Sequence, residues 1–252
     1  VIEIARNAGR TVLALEAPDA DECLGVNSRM QLAQATKIMQ RRINEGLMRS
    51  GVSMLDPEQV WVGPEATIGM DTVLLPQTFL WGKTSVGEAC TVGPNSRLED
   101  ATVGNNCTVD ETVIVDSAID DDVNCGPRAY LRGGAHFHKG AKAGTHVEIK
   151  GSEVGEGSKV PHLSYIGDCT IGEGVNIGGG SITCNYDGKH KSHTEIGDHV
   201  FVGSDTMMVA PVTIGDNALV GASSCITKDV PAGALALERS KQTVIEGWAD
   251  RY

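Results

Sequence analysis

An aliphatic residue falls at every sixth position through most of this chain. Val62, Ile68, Leu74, Leu80, Val86, Val92 and Leu98 follow one another six apart. The rhythm resumes at Val103 and Val109, at Ile119, Cys125 and Leu131, at Val154, Val160 and Ile166, and at Ile171 and Ile177. A last run holds Ile196, Val202, Met208, Ile214, Val220 and Ile226. Gly or an acid usually follows the apolar residue, as in IGMDTV, VGEACT, VGPNSR, IGDHVF and IGDNAL. An α-helix repeats every 3.6 residues or so and cannot hold a strict period of six. A short strand of about five residues plus a corner can. The aliphatic then points inward, and the Gly beside it is expected to permit the tight turn. Three such hexads close one triangular coil, and stacked coils bury a continuous aliphatic column. Strands of a β-sandwich are not spaced so evenly. The expected fold is mainly β, a parallel β-helix of hexapeptide repeats.

Composition agrees with a thin, repetitive β structure. Among 252 residues, 40% are apolar, only 4% are aromatic and 31 are Gly. The net charge of −12 argues against a nucleic-acid or membrane-surface binder, while leaving room for local basic pockets. The seven Cys are scattered and include no CxxC, which predicts packing thiols in a reduced, cytoplasmic protein. No apolar run is long enough to span a bilayer. The chain opens on Val1 inside a helical-looking VIEIARNAGR, so a fragment or processed chain is expected.

Ahead of the repeat the pattern is different. VIEIARNAGR reads as helix and TVLALEAP as strand. Leu32, Ala35, Met39, Ile43 and Leu47 then recur at helical spacing, with Gly51 as the stop. The expected boundaries are a short α/β remnant at 1–28, a long linker helix at 29–51, the β-helix at 52–236 and a C-terminal tail at 237–252. The remnant is too small for a core of its own. It is either a cap on the β-helix or the tail of a larger domain.

One stretch, TCNYDGKHK at 183–191, breaks the rhythm with polar and basic residues, which cannot continue a buried corner and must leave the coil. Of the seven His, His162 stands out. It replaces a small residue in the hexad VPHLSY and is set off by Pro161. The pair His136 and His138 is half of a zinc site, but no third ligand stands at a telling spacing, so no metal is expected there.

The stretches GVNSRMQL, SKVPHLSYIGD, VNIGGGSITCNYDGKHK, VFVGSDTMMVAPVTIG and ALERSKQT, with the final EGW, resemble a bacterial family. Its members are bifunctional N-acetylglucosamine-1-phosphate uridylyltransferases and glucosamine-1-phosphate acetyltransferases. The hexads alone resemble the wider group of left-handed β-helix acyltransferases. The narrower resemblance implies N-acetylation of glucosamine-1-phosphate by acetyl-CoA, with direct attack of the amine on the thioester and no acyl-enzyme. His162 is then the general base. Arg132, Lys150 and Lys191 clamp the sugar phosphate, and Tyr165, Asn176 and Asn185 hold the sugar. Asn185, Tyr186, Ser204, Ala222 and Arg239 meet acetyl-CoA. A homotrimer with sites between adjacent subunits is also implied, with no nucleic-acid or membrane partner. Asn27, in GVNSR, matches the family's magnesium ligand. Mg²⁺ is implied only for the uridylyltransferase half of an intact parent, because one oxygen ligand cannot hold it. Two alternatives stand beside this reading: another hexapeptide-repeat acyltransferase, or a non-catalytic β-helix scaffold.

Overall fold

Each hexad contributes a strand of two to four residues, shorter than expected, and a corner. In the computed structural model, which describes residues 1–251, these strands form three parallel sheets of 11, 10 and 9 strands. Tyr252, the last residue of the expected tail, lies outside the described residues. The first sheet runs from Ser53–Met54 to Leu235–Ala236, the second from Val60–Val62 to Cys225–Ile226, and the third from Thr67–Ile68 to Val212–Ile214. Consecutive strands of the chain belong to different sheets, so the chain winds round one axis as a left-handed parallel β-helix. Down the second sheet Phe79 pairs with Arg97, Arg97 with Val113, Val113 with Tyr130, Tyr130 with Glu148 and Glu148 with Tyr165. One coil therefore advances the chain by 16 to 18 positions.

The rhythmic aliphatics fill the interior. Every one of them is buried except Ile68, which is half-buried and packs on the same core. Phe137, Ala143 and Ile149 continue the column where the aliphatic rhythm looked broken, and Ile114 fills the gap after Val109. Buried hydroxyls turn back on the backbone: Thr84 Oγ1 donates to the Trp81 carbonyl at 2.6 Å and Ser158 Oγ to that of Gly172 at 2.6 Å. Cys90, Cys107, Cys125 and Cys169 are buried, and burial pushes the Cys125 thiol up to about 12, as befits a packing group. Cys23 is exposed, and all seven thiols are free.

Gly93 and Gly126 take the left-handed turn conformation as expected, at φ +103 and +106, but most glycines beside the aliphatics have a different job. Gly69, Gly87, Gly104, Gly155 and Gly172 have no left-handed φ. A Cβ at Gly155 would stand 2.2 Å from the Gly172 carbonyl oxygen, and one at Gly87 would stand 2.6 Å from that of Gly104. These glycines let the backbones of stacked coils meet. The left-handed residue comes two positions later, at Asp71, Ala89, Asn106, Asp122, His199, Asp205 and Asn217. Asn and Asp are the residues that tolerate this conformation best after Gly.

The long helix spans Arg29–Arg49. Ser28 caps it by accepting from the Gln31 N–H at 3.2 Å, and Gly51 ends it at φ +99. Its second half closes the end of the β-helix. Ile43 and Leu47 pack on the core, while the side-chain amides of Gln40 and Asn44 donate to the Val60 carbonyl at 2.6 and 2.9 Å. The expected α/β remnant needs correcting. Ile2–Asn7 is helical and Ala20–Cys23 forms a 3₁₀ turn, but TVLALEAP makes no strand. Leu13 and Leu15 are 86% and 97% exposed, and no sheet edge offers their backbone a partner. Among the described residues no helix is long and apolar enough to cross a membrane.

Two glycine substitutions separate close approach from backbone conformation. Gly155→Ala should cost about 1–3 kcal/mol by overpacking against Gly172. Gly157 has φ +67 and open space around it, so Gly157→Asn should be nearly neutral. Urea unfolding that finds the two equally damaging would contradict this division.

Candidate active site

On the second sheet one coil step sets Arg132 directly beside Lys150, and another sets Lys150 beside Gly167. The long basic side chains therefore share one outer face. Each has a carboxylate partner. Glu148 accepts from Arg132 Nε at 2.8 Å and from Nη2 at 2.6 Å. Asp168 accepts from Lys150 through Oδ1, and from Asn185 Nδ2 at 2.7 Å through Oδ2. Lys191 lies close enough to act on Lys150 and Asp168 alike. Tyr165 joins the group, since a Cβ on Gly167 would meet both its hydroxyl, at 2.4 Å, and Asn185 Nδ2, at 2.8 Å.

The charges steady one another. Burial acts to raise the Asp168 carboxyl, but the bonds from Lys150 and Asn185 outweigh it and hold the group below the usual carboxylate range. The bond to Asp168 raises Lys150, and the bond to Glu148 raises Arg132. Both of these cations are thus charged at neutral pH. Three cations against two carboxylates leave a positive spot on an acidic chain, suited to a dianion.

His162 ends the strand Lys159–His162, at the corner that leads into Tyr165. It is exposed, and among the described residues its ring has no hydrogen-bond partner. A ridge of backbone runs on from it, coil by coil. A Cβ on Gly179 would lie 3.3 Å from His162 Cβ, and one on Gly178 would lie 2.4 Å from the Ser204 nitrogen. Ser204 is tied to the next coil by the Ser223 N–H at 2.8 Å. Arg239 Nη1 donates to the Ala222 carbonyl at 3.1 Å. His162, Ser204, Ala222 and Arg239 therefore mark one line along the outside of the helix, four strand spacings or about 19 Å long.

The TCNYDGKHK interruption leaves the coil as expected. Tyr165 pairs with Ile182, a step of 17 positions, but Ile182 pairs with Met207, a step of 25. The extra residues form a small hairpin in which Tyr186 and Lys191 bridge antiparallel and the Ser192 N–H donates to the Asn185 carbonyl at 2.8 Å. Asp187 Oδ1 accepts from the Lys189 and His190 N–H groups at 2.7 and 2.6 Å. The Tyr186 hydroxyl donates to the Gly188 carbonyl of its own loop at 2.8 Å. This fold of the loop brings Asn185 and Lys191 back over Asp168.

Not every expected residue gathers there. Asn176 sits on the first sheet, between Lys159 and Phe201, and no hydrogen bond links it to the cluster among the described residues. Asn27 is exposed near the start of the long helix, its N–H bonded to Gln31 Oε1 at 2.8 Å. Sequence reasoning missed Asp168 and Glu148. The signal was the coil step, since Asp168 follows Lys150 by 18 positions and Glu148 follows Arg132 by 16.

The depressed Asp168 carboxyl makes its pairing sensitive to acid. A carboxyl with a lowered folded pKa adds stability that is present above its unfolded pKa and is lost as pH falls through the folded one. The stability gap between the native chain and Asp168→Asn should hold steady from neutral pH to about pH 4 and close below it. Urea midpoints that stay apart, unchanged, to about pH 2 would show that the charge is not what matters.

Comparisons with known proteins speak to the family of the chain. The family described as bacterial transferase hexapeptide (six repeats) matches residues 193–228, and the hexapeptide repeat of succinyl-transferase matches residues 83–117. The bifunctional protein GlmU of Heliobacterium modesticaldum is 51% identical over 251 residues, which is 100% of this chain and 55% of that protein. The GlmU of Carboxydothermus hydrogenoformans is 52% identical over 242 residues, 96% of this chain and 54% of the protein. Among solved structures, the UDP-N-acetylglucosamine O-acyltransferase LpxA of Moraxella catarrhalis matches 71% of this chain and 69% of its own, at 17% identity and a TM-score of 0.47. The chain spans about half the length of the curated relatives it matches. Along its whole length, this hexapeptide-repeat chain is similar to the bifunctional GlmU proteins.

Proposed function

We propose that the chain acetylates the amine of glucosamine-1-phosphate with acetyl-CoA, giving N-acetylglucosamine-1-phosphate and CoA. The observation that carries this reading is the placing of two features at the two ends of one face of the second sheet. An exposed, unpartnered His162 at the corner entering the strand Tyr165–Gly167 heads the line of Ser204, Ala222 and Arg239, and the cation group Arg132, Lys150 and Lys191 gathers at the far end of the same sheet. The sugar phosphate binds the cations. Acetyl-CoA lies along the line, with Arg239 toward its phosphates and the thioester toward His162. Tyr165, Asn176, Asn185 and Tyr186 orient the sugar and the acyl group.

Direct transfer needs a neutral amine, and His162 is placed to take its proton. The nitrogen attacks the thioester carbon, the carbonyl π electrons move to oxygen, and the oxyanion collapses with loss of the CoA thiolate. The proton taken by His162 then goes to that thiolate. No cysteine takes part: Cys184, beside Asn185, is half-buried, and burial raises its thiol.

The reading includes a homotrimer. In this trimer a site that uses Asn176, on the first sheet, together with the cation cluster on the second would be shared between neighbouring chains. Phe79, Trp81 and Tyr130, exposed on the second sheet, give that neighbour an apolar surface to cover. Such a protein would work in the cytoplasm. The full-length parent would also couple N-acetylglucosamine-1-phosphate to UTP, making UDP-N-acetylglucosamine, and there Asn27 would help hold Mg²⁺. Acetyl transfer uses a base and fixed donors, whereas nucleotidyl transfer needs a metal to neutralise phosphate charge.

Two measurements test this. In a thiol-release assay, His162→Ala should slow acetyl transfer by about 10²–10⁴-fold with no loss of fold, and a drop of less than about tenfold would remove His162 as the base. The 252-residue chain should acetylate glucosamine-1-phosphate in EDTA yet make no UDP-sugar from UTP and excess Mg²⁺. UDP-sugar formed by the pure chain would overturn the division of labour.

A further inference from the structure

The close-packed glycine column on the third sheet is broken at two consecutive coils. Gly69, Gly87 and Gly104 lead up to the break, and Gly155, Gly172 and Gly197 continue beyond it. Between them stand Asp120 and His138. The backbone ladder is unchanged there: the Asp120 N–H donates to the Phe137 carbonyl at 2.8 Å and the His138 N–H to that of Val154 at 2.8 Å. Two functional side chains therefore replace two hydrogens at a position where the fold otherwise demands glycine. In the adjoining column Ala118 pairs with His136, and His136 with Glu153. Phe137 is buried, so His136 and His138 on either side of it both face outward.

The four side chains converge. His136 Nε2 lies 2.8 Å from Asp120 Oδ1, and His138 Nδ1 lies 3.3 Å from Asp120 Oδ2. The two rings stand 4.3 Å apart, and one donor atom from each of Asp120, His136 and His138 falls within 4.8 Å of the others. Zinc bonds of about 2.0–2.2 Å set ligand atoms roughly 3.3 Å apart at the corners of a tetrahedron. The nitrogens turned away from Asp120 both meet one carboxylate. Glu153 Oε2 is 3.0 Å from His138 Nε2 and 3.4 Å from His136 Nδ1. A metal-bound imidazole commonly donates its other ring N–H to a carboxylate in this way, which fixes tautomer and ring orientation. Asp100 and Asp116 line the adjoining surface hollow with His136 and Glu153, and add negative potential for a cation.

We propose that Asp120, His136 and His138 form a binding site for a divalent transition-metal ion of the zinc class, with Glu153 orienting both imidazoles and water completing the coordination sphere. Two nitrogens and one carboxylate oxygen suit zinc better than Mg²⁺ or Ca²⁺, which take all-oxygen sets. The site lies on a different sheet from the phosphate clamp and plays no part in acetyl transfer. Its ligands come from successive coils, so a bound ion ties those coils together and stabilises the folded chain by mass action.

Isothermal titration of the tag-free, chelator-treated full chain with zinc chloride tests this. One ion per chain should bind in the micromolar range, with a zinc-dependent rise in Tm. His138→Ala and Asp120→Ala should each abolish both signals, and Glu153→Gln should weaken binding by about 10–100-fold. All these side chains are partly exposed, and circular dichroism of each apo variant checks that it remains folded. Undiminished zinc binding by a His136→Ala, His138→Ala double variant, or no saturable binding by the native chain at millimolar zinc, would overturn the proposal.

Discussion

Backbone contact between stacked coils is the constraint on which everything else in this molecule depends. At the glycine column the peptide groups of neighbouring coils come so close that a single Cβ would overlap a carbonyl. That contact, with the parallel ladder beside it, holds most coils to 16 to 18 residues and places each side chain over its counterpart one step away. Such a solenoid has few long-range choices to make. Arg132 meets Lys150, Lys150 meets Asp168, and Ser204 stacks near Ala222 because the coil step allows nothing else. The candidate site is thus assembled from residues far apart in sequence without any loop having to find a distant partner.

A cluster of cations on adjacent strands also has to be held together, even in a chain of net charge −12. Arg132 and Lys150 would repel each other on adjacent strands. Glu148 and Asp168, each one coil step from the cation it binds, absorb that repulsion. Asp168 does more, since its second oxygen fixes Asn185 and so anchors the base of the excursion that carries Tyr186 and Lys191. The acid orders the loop, and the net positive charge survives because three cations outnumber two carboxylates.

The fold was largely legible because its signal is periodic, and the limits of that legibility have physical causes. Six-residue spacing marked most core residues, and part of the break in the rhythm came where Phe137 and Ala143 stood in for a branched aliphatic. The glycines were visible, but their purpose was not. A turn glycine and a close-contact glycine are the same letter, and only φ and the neighbouring backbone tell them apart. TVLALEAP has strand propensity and no sheet to join, so tertiary context overrode it. At the candidate site, the basic residues and His162 were singled out through the family resemblance. Asp168 and Glu148 were not, because their meaning lies in a coil length known only once the strands are in register. The same holds for Asp120 and Glu153 around the histidine pair, which come from the coils before and after it.

The central claim is that one face of the β-helix holds both the phosphate and the amine of an amino sugar. A crystal structure of the chain with glucosamine-1-phosphate would test it most directly. The account predicts the phosphate on Arg132, Lys150 and Lys191, with the amine within hydrogen-bond reach, about 2.6–3.2 Å, of a His162 ring nitrogen from the same or a neighbouring subunit. Phosphate bound away from these cations, or an amine turned away from every His162, would contradict it.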